Sequence, residues 1–305
     1  MDFKECFLNN QYIIMEGAIG ERLKKEYGIV FDDNVAMASL VYSKKGRDTL
    51  EALWLEYAEM AFNKKLPFIA TTPTRRANKE RIHKSGFGDN IIRDNTKFLR
   101  NVQKKFKGRS YIGALMGCVG DAYSGKKELD AKSAKEFHSY AAELFKEAGA
   151  DFLYAGIMPE INEALGMAMA MGDTGLPYII SFMIRDNGCL MDGTTISEAI
   201  SIIDGSVDKK PLCYMTNCVY PLTLYKAVNM SFNKTEIVKK RFLGIQANAS
   251  PLPPDAIDGK NNVKCEEPKK FAQDMMKLKD VLNVKIWGGC CGTNDEYIKE
   301  VLRLL

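Results

Sequence analysis

The segment of this chain best suited to metal chemistry is a pair of adjacent cysteines between glycines. It reads Gly288-Gly289-Cys290-Cys291-Gly292-Thr293 and directly follows a short apolar run of strand character. Adjacent side chains of a regular strand point to opposite faces, so both thiols reach one ion only if the chain turns. Glycine has no Cβ and adopts backbone angles that are closed to other residues. We therefore expect a tight turn that directs both sulfurs to one point.

Two thiolates leave a metal site incomplete, so a third ligand has to come from elsewhere in the sequence. The chain has two histidines, His83 in a charged stretch and His138 in the middle of a helical pattern. For both, a solvated or core role is favoured over metal binding. Cys218 is the better candidate, because it ends the sixth predicted strand and would lie on the same face as the Cys290-Cys291 turn. The result is a three-cysteine site.

Thiolate ligands predict a particular metal and a particular chemistry. Zn²⁺ is the expected ion for thiolates in tetrahedral geometry, and an open fourth position is typical of a catalytic site. Three thiolates give a formal charge of about −1, which makes the ion a poor Lewis acid for carbonyls but a good binder of soft sulfur. A substrate thiol, whose pKa is ordinarily about 8.5, would lose its proton on joining it. The site therefore indicates alkyl transfer to sulfur.

Positioning these cysteines requires strands that end at one common edge. Short β-branched or aromatic runs recur along the chain, each followed by a longer amphipathic segment. The predicted strands are 12–15, 68–71, 111–116, 152–155, 178–182, 212–215, 242–246 and 284–287. The clearest predicted helices are 49–62, 131–148, 160–171, 268–282 and 294–305, the last with Asn294 as a possible N-cap. This alternation favours a single (β/α)₈ barrel domain over residues 1–305, with an open doubly wound sheet as the alternative.

Composition excludes several classes of protein. Hydrophobic residues make up 46% and charged residues 27%, which is typical of a globular protein with a sizeable core. The 43 basic residues are scattered against 39 acidic ones, so no stripe for nucleic acid is present. No apolar run predicts a signal peptide or a membrane span, and a cytoplasmic location is expected. There, the eight cysteines favour buried or metal-binding roles over disulfides; Cys118 and Cys213 are interpreted as core residues.

These motifs resemble those of the homocysteine S-methyltransferase family, which is related to betaine–homocysteine methyltransferase and to the homocysteine-binding module of cobalamin-dependent methionine synthase. The resemblance runs nearly end to end. The matching segments, in family order, are Met15-Glu16-Gly17-Ala18-Ile19-Gly20, Thr71-Thr72-Pro73-Thr74, Ser181-Phe182 with Gly188 and Gly193, Asn217-Cys218, and Gly289-Cys290-Cys291-Gly292-Thr293. The last two are the most specific. The resemblance implies a (β/α)₈ barrel and three zinc ligands, Cys218, Cys290 and Cys291.

The resemblance also implies roles for residues around the metal. Glu16 and the backbone amide of Gly17 would surround the polar end of the thiol acceptor, and Thr72 belongs to the second substrate-binding motif. Asn217 would donate a hydrogen bond behind the ligands. The leading interpretation is an enzyme that binds a thiol on Zn²⁺ and attacks the methyl group of a donor by in-line displacement.

Two departures from the family concern the acceptor. Glu16 stands where the family has aspartate, and Gly156 in Tyr154-Ala155-Gly156-Ile157 stands where the fourth strand ends in Glu-Thr. Glu160 and Glu163 lie just beyond, although a solvated helix face is the favoured interpretation of both. Because no carboxylate remains at position 156 to hold an ammonium, we predict an acceptor that lacks an α-amino group or presents its polar end differently from homocysteine.

Alternatives remain for the donor and for the class of protein. A sulfonium such as S-methylmethionine is the favoured donor, since related single-barrel proteins of this length use it. Betaine, or a methylated corrinoid protein acting as a separate partner, would fit the same site. A non-catalytic zinc or redox sensor is the interpretation from another class, disfavoured because a sensor does not need its thiols at the active face of a barrel.

Overall fold

Within residues 1–120, 122, 129–253 and 264–305, which are those that the structure describes, eight parallel strands close into a barrel. The structure is a computed structural model. The strands are β1 (Ile13–Met15), β2 (Phe68–Thr71), β3 (Ser110–Met116), β4 (Phe152–Met158), β5 (Tyr178–Phe182), β6 (Cys213–Val219), β7 (Phe242–Ala247) and β8 (Ile286–Gly289). They pair in chain order, and β8 pairs with β1. The predicted (β/α)₈ barrel is confirmed, and the open sheet is excluded.

Within the described ranges, one helix closes the amino-terminal end of the barrel and the others surround the strands. The helices are α1 (Phe3–Asn9), α2 (Gly20–Tyr27), α3 (Lys44–Asn63), α4 (Lys79–Ser85), α5 (Asn90–Gln103), α6 (Ala131–Glu147), α7 (Ile161–Thr174), α8 (Ile196–Ser206), α9 (Pro221–Asn229), α10 (Glu236–Arg241), α11 (Pro268–Met276) and α12 (Asp295–Leu304). Short 3₁₀ helices span Met37–Tyr42 and Lys277–Asp280. The predicted α12 begins as expected, because the Asn294 side chain accepts a hydrogen bond from the Glu296 backbone.

The last strand, β8, lies two residues later than predicted. Two of the glycines that were expected to form the turn lie in this strand instead. Gly288 and Gly289 belong to β8, and Gly289 pairs with Ala247. A Cβ on Gly288 would lie 2.8 Å from the Met15 Cβ, and one on Gly289 would meet the Thr293 side chain. These two glycines therefore permit close packing, whereas Gly292, with φ of 79°, makes the turn.

The amino-terminal end of the barrel is closed by α1. Phe3 stacks on Phe152 inside the barrel, with ring centroids 3.9 Å apart. Cys6 and Phe7 join the same buried cluster, which includes inward-facing residues of the strands such as Tyr154. Because this end is plugged, the interior communicates with solvent at the carboxyl ends of the strands, which we call the mouth of the barrel. No helix in the described ranges has the length and apolar character needed to cross a membrane.

Candidate metal centre

Three cysteine side chains meet at the mouth of the barrel. Cys218 lies on β6, and Cys290 and Cys291 directly follow β8. The Sγ atoms of Cys218 and Cys290 are 2.7 Å apart, and those of Cys290 and Cys291 are 4.0 Å apart. All three sulfurs lie within 4.8 Å of one another, close enough to bind a single ion. We call this group the thiol cluster.

An irregularity in β6 turns Cys218 into the cluster. Cys218 has φ of 62°, a left-handed conformation that costs a non-glycine residue about 1–3 kcal/mol. The register between β6 and β7 shifts at the same point, between Asn217 and Val219. Asn248 stabilises this conformation, because its Nδ2 donates to the Cys218 carbonyl at 2.7 Å. Asn217 and Cys218 therefore do not face opposite sides, as neighbours in a regular strand would.

The turn after β8 is held by hydrogen bonds to its carbonyl groups. The Thr293 backbone amide and hydroxyl donate to the Cys290 carbonyl at 3.1 and 2.6 Å. The Ala249 amide donates to the Cys291 carbonyl at 2.9 Å. With Gly292 in the left-handed region between them, both cysteine side chains approach Cys218.

Without a metal, the surroundings of Cys290 and Cys291 raise the pKa values of both thiols. The hydrogen bond with Cys218 raises the pKa of Cys290 well above its usual range, and Cys291 and burial raise it further. The hydrogen bond with Cys218 is also the main cause that raises the pKa of Cys291, to about 12. A bound cation would reverse this, because metal ions bind cysteine as the thiolate and displace its proton.

The donor set fits zinc. A tetrahedral ion with Zn–S bonds of about 2.3 Å holds its sulfurs about 3.8 Å apart. The Cys290–Cys291 separation of 4.0 Å is close to that value, and the Cys218–Cys290 separation of 2.7 Å would have to widen by about 1 Å. Within the described part of the chain, the group contains cysteines alone, the ligand type that selects soft metals.

Asn217 has a defined orientation beside the cluster. Its Oδ1 accepts hydrogen bonds from the Ile157 amide at 3.0 Å and from the Ser181 hydroxyl at 2.5 Å. Since the oxygen is occupied, the Nδ2 donor faces the Cys218 sulfur, 3.7 Å away. Such a hydrogen bond stabilises a thiolate more than a thiol. The sequence placed Ser181 in a family motif, but the hydrogen bonds of Ser181 and Ile157 to Asn217 were not predicted, because they depend on a register shift between β4 and β5.

Glu16 is buried near the mouth and bound to β2. Its carboxylate accepts hydrogen bonds from the Thr71 amide at 3.0 and 3.1 Å and from the Thr71 hydroxyl at 2.5 Å. Burial nevertheless raises the pKa of Glu16 to about 7. The carboxyl group therefore titrates near neutral pH, and it is a weaker partner for a cation than an ordinary glutamate.

Gly17 and Thr72 were also predicted to bind substrate. Gly17 packs against the Tyr57 hydroxyl, since a Cβ at this position would lie 2.7 Å from that oxygen. The Thr72 side chain is fully buried, and its hydroxyl accepts from the Leu115 amide at 3.0 Å and contacts the Thr74 hydroxyl at 2.7 Å. Thr71 makes the contact with Glu16, whereas the hydroxyl of Thr72, which directly follows β2, binds the backbone of β3.

Gly156 lies beside Asn217. A Cβ added there would lie 4.0 Å from the Asn217 Nδ2 and 2.7 Å from the Leu115 Cδ1. A side chain at this position would therefore start against Leu115 and beside Asn217. The position remains without a carboxylate, as the sequence indicated.

The prediction that Glu163 lies on a solvated helix face is wrong. Glu163 is buried, and its Oε1 accepts from the Val119 amide at 2.6 Å and contacts the His138 Nε2 at 2.9 Å. It cannot replace a carboxylate at the mouth, because it joins α7 to α6 and to the segment after β3. His138 is a core histidine and His83 is exposed, so the preference for cysteine as the third ligand agrees with their positions.

A first prediction concerns Glu16 and pH. Because its folded pKa is about 7 and its ordinary value is 4.5, the folded state retains a proton that the unfolded state has released in that range. Stability should therefore fall as pH rises from about 4.5 to 7, by at most about 3.4 kcal/mol from this group. Glu16→Gln should remove this decline, measured by urea unfolding of metal-free, reduced protein at several pH values. The exposed Glu136→Gln variant is the control; an unchanged decline in Glu16→Gln would contradict the assignment.

Comparisons with known proteins relate this geometry to a family. Residues 13–305 match the family model described as homocysteine S-methyltransferase. Homocysteine S-methyltransferase 2 of Arabidopsis thaliana is 25% identical over 190 residues, which are 61% of this chain and 55% of that protein. The matched region thus spans just over half the length of this relative.

Solved structures with the same fold include a homocysteine methyltransferase from Escherichia coli, MmuM. Its metallated form aligns with a TM-score of 0.77 at 16% identity over 99% of both chains. Its apo form aligns with a TM-score of 0.66 at 16% identity, over 96% of this chain and 95% of that one. At this identity, the structures support the fold. Because the family model extends over nearly the whole sequence, the chain belongs to the homocysteine S-methyltransferase family.

Proposed function

We propose that this protein is an S-methyltransferase that methylates a small thiol with the help of one Zn²⁺ bound by Cys218, Cys290 and Cys291. The observation that carries the proposal is the thiol cluster, with its three sulfurs within 4.8 Å at the mouth of the barrel. Family membership supports a thiol acceptor, and the metallated form of the Escherichia coli structure supports a metal. Three protein ligands leave one tetrahedral position for a substrate, as in catalytic zinc sites.

Zinc, when bound, supplies a position at which the acceptor thiol loses its proton and is present as thiolate at neutral pH. The chain orients one of the ligand sulfurs and shields the site. Asn217 holds its Nδ2 toward the Cys218 sulfur, and the buried side chains of Ile157 and Met183 pack beside the cluster and exclude water. A poorly hydrated thiolate is a stronger nucleophile. In the transfer, the acceptor sulfur forms a bond to the methyl carbon while the donor's carbon–sulfur bond breaks and its electron pair leaves with the donor.

We propose a sulfonium such as S-methylmethionine as the donor, because its leaving group is a neutral thioether. The partners are then two small molecules, and a corrinoid protein is not required. We further propose that residues 1–305 form one barrel domain and that the protein acts in the cytoplasm. A reducing compartment keeps three closely spaced thiols available to a metal.

The test is a matrix of thiols and methyl donors with the zinc-loaded protein. Homocysteine, 4-mercaptobutyrate and cysteamine would be combined with S-methylmethionine, betaine and methylcobalamin, and methylated thioethers would be detected by mass spectrometry. We expect thioether from S-methylmethionine. Transfer from methylcobalamin alone would instead favour the corrinoid-dependent enzyme, and no transfer in any combination would leave the sensor interpretation.

Chelation should separate a catalytic metal from a structural one. Removal of zinc should abolish methyl transfer while lowering the melting temperature by only a few degrees, because the cluster lies at the mouth and the hydrophobic core is complete without it. Circular dichroism and activity would be measured before and after treatment with a chelator, and again after zinc is restored. An unfolded metal-free protein would show that the site is structural.

A further inference from the structure

A hydrogen bond crosses the interior of the barrel below the thiol cluster. The Tyr154 hydroxyl on β4 donates to the Gln246 Oε1 on β7 at 2.8 Å. Gln246 pairs with Asn217 on one side and with Gly288 on the other. These partners precede Cys218 by one residue and Cys290 by two, so Gln246 lies one layer beneath the sulfurs.

The bond to Tyr154 fixes the direction of the Gln246 amide. In this hydrogen bond the amide oxygen faces the Tyr154 hydroxyl, which stays protonated because burial raises the pKa of Tyr154 well above its usual range. The side chain of Gln246 passes over Gly288, where a Cβ would lie 3.0 Å from the Gln246 Cγ. The glycine thus makes room for the amide, and its Nε2 points away from Tyr154.

The Nε2 atom has no hydrogen-bond acceptor among the residues that the structure describes. Several side-chain nitrogen and oxygen atoms of the described residues are fully buried and lack a hydrogen-bond partner. The Gln246 Nε2 is not one of these atoms, so it keeps some exposed surface. Solvent therefore reaches it. Since α1 closes the other end of the barrel, that access comes through the mouth, past the thiol cluster.

The neighbouring polar groups limit the kind of ligand that the Gln246 Nε2 can bind. The Glu16 carboxylate is already bound to Thr71, and Gly156 contributes no side chain. An oriented amide N–H pairs with an oxygen acceptor and not with an ammonium group. The polar groups beneath the sulfurs thus favour a ligand that carries oxygen.

We infer that the Gln246 Nε2, oriented by Tyr154, donates a hydrogen bond to an oxygen at the polar end of the thiol acceptor. The acceptor is then a small thiol with a carboxylate or a similar oxygen group a few carbons from its sulfur. Gln246 is a specificity-determining residue and Tyr154 a positioning residue. This inference rests on the proposed function, since it takes the thiol cluster as the place where the acceptor sulfur binds.

The experiment measures thiol binding separately from methyl transfer. Zinc-loaded full-length protein would be titrated calorimetrically with 4-mercaptobutyrate and with 1-butanethiol, which has a methyl group in place of the carboxylate. We expect the wild type to bind 4-mercaptobutyrate at least about tenfold more tightly. Gln246→Met, which keeps the length but has no donor, should weaken that binding about ten- to a hundredfold and change butanethiol binding less than about threefold. Tyr154→Phe should weaken only 4-mercaptobutyrate, by about two- to tenfold.

A charge change provides a second variant. Gln246→Glu should bind 4-mercaptobutyrate still more weakly and should gain affinity for 3-mercaptopropylamine, because a carboxylate prefers an ammonium partner. Zinc content and circular dichroism would confirm that each variant is folded and loaded. Equal losses for both thiols in Gln246→Met, or a wild type that does not distinguish them or binds neither, would overturn the inference. If this binding pattern appears without methyl transfer from any donor, the inference holds and the proposed function fails. If methyl transfer occurs without this binding pattern, the proposed function holds and the inference fails.

Discussion

Cys290→Ser and Cys291→Ser should each lose most of their zinc, whereas the wild type purified under reducing conditions should contain close to one zinc per chain. A serine hydroxyl stays protonated at neutral pH and is a poor ligand for zinc, so each variant keeps two of the three thiolates in the cluster. Methyl transfer should fall in parallel, because the acceptor thiol is no longer deprotonated. Metal content would be measured by mass spectrometry of the dialysed protein.

Cys118→Ser is the matched control for these variants. Cys118 packs beside Cys218 and Cys290 at the mouth but is not a member of the thiol cluster. Its substitution should leave the zinc content unchanged. Full zinc retention in both Cys290→Ser and Cys291→Ser would remove the proposed site, whatever the activity of the protein.

Gly156→Glu should shift the acceptor preference toward homocysteine. A charge-assisted hydrogen bond to an ammonium is worth about 1.5–3 kcal/mol, so kcat/KM for homocysteine relative to 4-mercaptobutyrate should rise about ten- to a hundredfold. The new side chain would start beside Asn217, and Gly156 is not among the glycines with positive φ. Because its Cβ would lie 2.7 Å from the Leu115 Cδ1, the variant is best combined with Leu115→Ala.

Leu115→Ala alone is the control, since it opens the same space without adding a carboxylate. Its preference between the two thiols should match that of the wild type. The wild type itself should prefer homocysteine by less than about a hundredfold. A larger preference would show that the ammonium is already bound strongly, and the interpretation of Gly156 would be wrong even if the zinc chemistry is right.

The barrel was predictable because its signals are local. Apolar runs, amphipathic segments and the capping residue Asn294 each act within a few residues, and their alternation specifies parallel strands with helical crossovers. The positions of Cys218, Cys290 and Cys291 followed from the same argument, because residues that follow strands of a barrel share one edge. The sequence did not predict correctly which residues of α7 are exposed to solvent. Glu163 has the surroundings of a solvated residue in sequence, but α6 packs over it and supplies His138.

The sequence by itself determined the fold, the edge at which the cysteines meet and the absence of a carboxylate at Gly156. Only the tertiary structure determined the orientations of the side chains at the mouth of the barrel. The left-handed conformation of Cys218 is stabilised by Asn248, which directly follows β7, and the Tyr154–Gln246 hydrogen bond joins residues 92 positions apart across the barrel. Such contacts have no periodicity in the chain, because they arise only when the barrel closes and opposite strands face one another across its interior.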